Sequence, residues 1–208
     1  MALEGEYRTV SREASAEFTE RRSRFIGHAA PVASGEEAAA FLRKIRMENR
    51  EARHNVYAFS LRRGQTRRHS DDGEPQGTAG MPVLDVLLKS GVTDTEIVVT
   101  RYFGGILLGA GGLVRAYSRA ASLALQAAGV ATMRPCFLLE TVCAYGLYSK
   151  IAALIGGFGG AVDRTGFTDL VRIDFHLECG KLPAFQAALS DATGGTCTAE
   201  ITSEKFLP

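Results

Sequence analysis

Thr95-Glu96-Ile97-Val98-Val99-Thr100-Arg101-Tyr102-Phe103 is nearly continuous in apolar and β-branched residues, the composition of a central strand buried on both faces. It runs into a glycine-rich turn, Gly104-Gly105-Ile106-Leu107-Leu108-Gly109-Ala110-Gly111-Gly112, and then into an alanine-rich helical stretch, Leu113–Ala128. The helix stripe Leu113, Tyr117, Ala120, Ala124 has small side chains, so that helix is expected to sit close against the sheet. Strand, glycine loop and helix start together present backbone N–H groups to a phosphate. Gly104, Gly105, Gly109, Gly111 and Gly112 are therefore candidate phosphate contacts, flanked by Arg101 and Arg115. The same glycines also serve a sharp turn or a close helix–sheet approach. Neither a P-loop pattern nor the dinucleotide fingerprint is present.

Upstream, a second glycine-rich stretch, Ser70-Asp71-Asp72-Gly73-Glu74-Pro75-Gln76-Gly77-Thr78-Ala79-Gly80-Met81-Pro82, leads into a helix around Val83–Ser90, with Pro82 suited to its first turn. Arg53–Leu61 reads as a strand, with Tyr57, Phe59 and Leu61 on one face and His54, Val56 and Ala58 on the other. Ser34-Gly35-Glu36-Glu37 forms a capping box, and the helix after it buries Ala38, Phe41, Leu42 and Ile45. The basic run Arg62-Arg63-Gly64-Gln65-Thr66-Arg67-Arg68-His69 is either a polyanion contact or a solvated hairpin tip paired with the acids that follow. Asp71, Asp72 and Glu74, with His54 or His69, are the right type for a hard cation but lack ligand spacing, and are read as a surface turn: no metal and no cofactor are expected.

Downstream, the order is strand, helix, strand, strand, helix, strand. Phe137–Tyr145 is followed by a helix through Leu147, Ile151, Leu154 and Ile155, closed by Gly156-Gly157-Phe158-Gly159-Gly160. A short strand at Ala161–Arg164 precedes the clean alternation of Leu170–Glu178; then come a helix carrying Leu182, Phe185 and Leu189 and a last strand with Cys197, Ala199 and Ile201. This βαββαβ order is the ferredoxin-like split motif. The expected organisation is α+β, with domains at residues 1–131 and 132–208 and a boundary near Gly129–Pro135.

The 208 residues carry a net charge of +1, divided as +3 over residues 1–131 (18 basic, 15 acidic) and −2 over 132–208 (6 basic, 8 acidic). The first domain is the place for a polyanion to land. The start, Met1-Ala2-Leu3-Glu4, has no signal-peptide character, and no apolar run spans a bilayer. The four cysteines show no Cys-x-x-Cys spacing, which fits a reduced, cytoplasmic setting.

The stretches Asp71–Gly80, Arg101–Gly105 and Leu108–Tyr117 resemble the signature of the YigZ/IMPACT family, with Arg24-Phe25-Ile26 and His54-Asn55-Val56-Tyr57-Ala58 as flanking motifs. The tail is similar to the small second domain of bacterial members. The resemblance implies a first domain like the βα fold of elongation factor G domain IV. It implies a role in translation control and the stress response, and no enzymatic activity: bacterial relatives are proposed to bind nucleic acid or ribosomes, and eukaryotic ones act on a translation-control protein. Leu107 departs from the lysine frequent at that position. The expectation is a non-enzymatic regulator binding RNA, the ribosome or a translation-control protein through Arg24, Arg67, Arg68, Arg101, Arg115 and the loop glycines, with no membrane partner. Family-motif candidates are His54, Tyr57, Asp71, Asp72, Glu74, Gly77, Thr78 and Tyr102. The alternative is a phosphate- or nucleotide-handling enzyme using the loops with Asp71 or Asp72 as base or magnesium ligand.

Overall fold

The structure, a computed structural model, describes residues 5–208. Its elements are β1 (Tyr7–Val10), β2 (Ala14–Glu20), β3 (Ser23–Pro31), α1 (Gly35–Glu48), β4 (His54–Ser60), β5 (Arg67–Ser70), α2 (Gly80–Ser90), β6 (Thr95–Tyr102), α3 (Ala110–Ala128), β7 (Val130–Cys143), α4 (Tyr148–Gly157), β8 (Ala161–Phe167), β9 (Val171–Glu178), α5 (Leu182–Thr193) and β10 (Glu200–Leu207). The chain divides into two compact units, Tyr7–Thr132 and Met133–Pro208, with Gly5 and Glu6 grouped with the latter. The fold is α+β.

In the first unit a five-stranded antiparallel sheet runs β2-β3-β6-β4-β5. The central β6 is covered on both faces, as its near-continuous apolar run requires. Ile97 and Val99 join Phe25, Ala29, Val56 and Ala58 in a core roofed by α2 and α3. Val98 and Ala30 meet Phe41 and Ile45 of α1 on the other face. The small stripe of α3 lets it lie almost on β3: a Cβ added at Gly27 would sit 2.3 Å from the Ala120 carbonyl oxygen. Helix α1 starts at Ser34, whose Oγ accepts from the Glu37 N–H, while the Glu37 carboxylate takes the Ala33 N–H.

The second sheet runs β10-β7-β9-β8, these pairs all antiparallel, with β1 also paired to β7 and with α4 and α5 on one face: the ferredoxin-like arrangement. Leu139, Ile173, Phe175 and Leu177 pack beneath Ile151, Ile155, Phe185 and Leu189. Strand β7 begins at Val130 and pairs with β10 from Arg134 onward. One local expectation is corrected. Cys197 and Ala199 are buried ahead of the last strand, not within it. The Thr193 hydroxyl, accepting from the Cys197 N–H, folds that segment into the core, and β10 starts only at Glu200.

Candidate RNA-binding ridge

The glycine loop after β6 is fastened to the β2–β3 hairpin. Its tip is the two-residue turn Arg21-Arg22, both with positive φ (43° and 65°). Two-residue hairpin turns of this hand favour Asn-Gly, so a pair of arginines there is a strained choice that presents two guanidinium groups at one corner. Gly104 lies directly on that turn: a Cβ at Gly104 would come within 2.0 Å of the Arg22 carbonyl group. The Ser23 hydroxyl accepts from the Gly104 N–H at 3.2 Å and locks the contact.

Beneath the loop, Arg101 is buried and forms an ion pair with buried Glu74 at 2.6 Å. Glu74 Oε1 also accepts from the Tyr117 hydroxyl at 2.7 Å. Burial first, then the Glu74 charge, pushes the Tyr117 hydroxyl pKa upward, so it stays a donor. Arg101 also stands 5.4 Å from the Phe25 ring and 5.4 Å from the Phe103 ring. This guanidinium joins β6, the first glycine stretch and α3, and its charge is already answered inside the fold.

The first glycine stretch is equally occupied. Asp71 caps the approach to α2, accepting from the N–H groups of Gly77, Ala79 and Gly80 at 2.8–3.0 Å. Burial opposes its charge, but these donors together hold the carboxyl below its ordinary range. Asp72 accepts from Arg46 at 2.6 Å and from the Asn55 N–H at 2.7 Å, and its carbonyl accepts from His54 Nδ1 at 2.8 Å. The Thr78 hydroxyl donates to the Pro75 carbonyl, and the Tyr102 hydroxyl to Asn49 Oδ1. Both oxygens of each aspartate are thus engaged by the chain. Among the described residues no group of three or more His, Cys, Asp and Glu is arranged to hold a metal.

The two glycine stretches do meet. Glu74 and Pro75 from one, and Phe103, Leu107, Leu108, Gly109 and Ala110 from the other, line a hollow of about 330 Å³ with Arg53 and His54. The cations proposed from sequence do not all converge on it. Arg24 lies on the opposite sheet face, paired with Glu17. Arg67 and Arg68 lie on the edge strand β5, opposite Ser60 and Phe59, with no carboxylate in ion-pair range among the described residues. Arg115 faces a second hollow, of about 250 Å³, on the other flank of the loop. There it meets Arg21 and Arg119, with Glu20 as the acid alongside, and Arg119 is held over the Phe18 ring at 4.4 Å. Leu108 lines both hollows, so the loop is a ridge between them. The start of α3 has no side-chain cap and no acid in its first turn, which leaves its first N–H groups for an anion. Arg21, Arg53 and Arg119 were missed in the sequence; the Arg21-Arg22 pair between two strand patterns was the available signal. Phe103, Ile106 and Leu107 of the ridge are exposed, Leu107 by 80%.

Family models match both units: the Impact N-terminal domain over residues 21–125 and a domain of unknown function (DUF1949) over residues 141–196. The chain is 35% identical over 190 residues to IMPACT family member YvyE of Bacillus subtilis, covering 91% of this chain and 88% of that protein. It is 37% identical over 179 residues to IMPACT family member YigZ of Escherichia coli, covering 85% and 88%. Protein IMPACT of Oryctolagus cuniculus matches at 36% over 96 residues, covering 44% of this chain and 30% of that one. A solved crystal structure of a hypothetical protein superposes with a TM-score of 0.63 at 33% identity, covering 98% of this chain and all of that one. Among the described residues no helix is long and apolar enough to cross a membrane.

Proposed function

This chain belongs to the IMPACT family, and on that premise we propose that it is a non-enzymatic, cytoplasmic regulator of translation whose first unit grips structured RNA, the ribosome in particular. The observation that carries the reading is the convergence of Arg21, Arg115 and Arg119, all exposed, beside the uncapped start of α3. Three flexible cations around free N–H groups suit a phosphate backbone. Phe103, 42% exposed on the adjoining flank, offers a ring face on which an unpaired base can stack. The Glu74–Arg101–Tyr117 cluster supports the ridge from within.

The test is RNA binding and ribosome co-sedimentation across a salt series, comparing wild type with Arg115→Glu. Affinity should fall steeply with salt, and the variant should bind at least about tenfold more weakly at low salt. Absence of binding at low salt, or equal affinity of the variant, overturns the reading. Ribosome association that survives nuclease treatment of the RNA would assign the ridge to a translation-control protein instead.

A further inference from the structure

On the α1 face of the first sheet, away from the ridge, a hollow of about 600 Å³ lies between α1, β4, β5 and β6. That size falls within the range of small-molecule sites, about 300–1,000 Å³. Its wall is aromatic: the Tyr57 and Phe59 rings lie 6.4 Å apart and within 13° of parallel. Glu96 of β6 also lines it, only 1% exposed, and its Oε2 is buried with no hydrogen-bond partner among the described residues. A carboxyl taken out of water with nothing to bind is costly, and such groups in a native fold call for an explanation. Arg43 of α1 and Arg68 of β5 also line the hollow, exposed and without a carboxylate in ion-pair range among the described residues. Glu36 is the remaining charged group there.

A flat aromatic wall, a buried carboxyl and two arginines at one opening match a molecule with a planar polar-edged ring and an anionic tail. We propose that this hollow is a binding site for a nucleoside monophosphate, its base against Tyr57, its base edge on the Glu96 carboxyl and its phosphate between Arg43 and Arg68. The neutral form of Glu96 carries one O–H donor and one acceptor. That pair complements the N1 acceptor and N6 donor of adenine, so AMP is the probe of choice. The site is independent of the RNA-binding ridge and lies on the other face of the sheet.

Calorimetric titration of the full chain with AMP, adenosine and ribose 5-phosphate tests it. AMP should bind with a sub-millimolar Kd, adenosine about tenfold more weakly, and ribose 5-phosphate not detectably at about 5 mM. Arg43→Ala with Arg68→Ala, both on exposed side chains, should bring AMP down to the adenosine affinity while leaving adenosine unchanged. Glu96→Leu, which removes both the donor and the acceptor, should weaken both ligands about tenfold, whereas Glu96→Gln, whose carboxamide keeps one donor and one acceptor, should bind both as wild type does. No AMP binding at about 5 mM, or AMP binding indifferent to the arginine pair, overturns the proposal. Loss of AMP binding in Arg115→Glu would also overturn it, by placing the nucleotide at the ridge. The RNA salt series is read separately, so either reading can fail without the other.

Discussion

Arg101 illustrates how a residue read as a ligand contact becomes a strut. A guanidinium at a strand end beside glycines suggests phosphate, and nothing local reveals that Glu74, 27 positions earlier, will be folded against it. Pairing at that separation is set by the tertiary path. Breaking a buried pair from one side strands the other charge, so Glu74→Leu or Arg101→Met alone should each cost about 3–5 kcal/mol of unfolding free energy. The double variant should cost much less than the sum, and urea unfolding through the full cycle measures the coupling. Glu96 gives the opposite case, an acid whose buried Oε2 has no hydrogen-bond partner among the described residues. Burial raises its pKa from 4.5 to about 8, with Glu36, Arg43, Arg68 and Tyr57 as the titratable and charged groups lining the same hollow. The unfolded chain releases this proton near the ordinary value, whereas the folded chain holds it until about 8. Stability therefore falls as pH rises through that window, by up to about 1.4 kcal/mol per pH unit. Glu96→Gln should lack this slope and gain on wild type from pH 5 to 8, in unfolding curves taken at each pH; parallel curves would refute the burial of a neutral acid.

At the scale of elements, period and composition were sufficient wherever one face is buried. The alternation of Val171, Ile173, Phe175 and Leu177 is the observed core face of β9, and the Ser34–Glu37 box does start α1. The sequence was less legible where a contact between elements, and not the pattern within one, sets the structure. The part of β7 from Arg134 to Glu140 depends on its pairing with β10, and the burial of Cys197 on a hydroxyl of α5. The small stripe of α3 was legible, but its counterpart Gly27 in β3 was not. At Gly27 an added methyl meets the backbone of Ala120, which no rotamer can move aside. Gly27→Ala should therefore push α3 off the sheet and cost about 1–3 kcal/mol, lowering the urea midpoint with an unchanged m-value. Gly104→Ala meets the Arg22 backbone in the same way. Its effect should extend to the ridge, weakening RNA binding beyond what the stability loss explains.

For the molecule as a whole, the net charge of +1 conceals its distribution. The sequence separated a basic front from an acidic back, and its candidate cations there are Arg24, Arg67, Arg68, Arg101 and Arg115. Of these, Arg67 and Arg68 lie on the edge strand β5, Glu17 and Glu74 answer Arg24 and Arg101, and Arg115 stands on the ridge with no carboxylate in ion-pair range among the described residues. Its neighbours Arg21 and Arg119 come from a hairpin tip and from one helical turn further along α3, a convergence that charge counting cannot see. If RNA phosphates are held there, each of these three arginines replaced by glutamine should lower the slope of log K against log salt by about 1. The second unit makes the control: Lys150 and Lys205 are exposed, yet that unit is net acidic, −2 over residues 132–208 (6 basic, 8 acidic). Their replacement by glutamine should leave the slope where it was, whereas an equal loss on either unit would mean that the RNA follows overall charge and not the ridge.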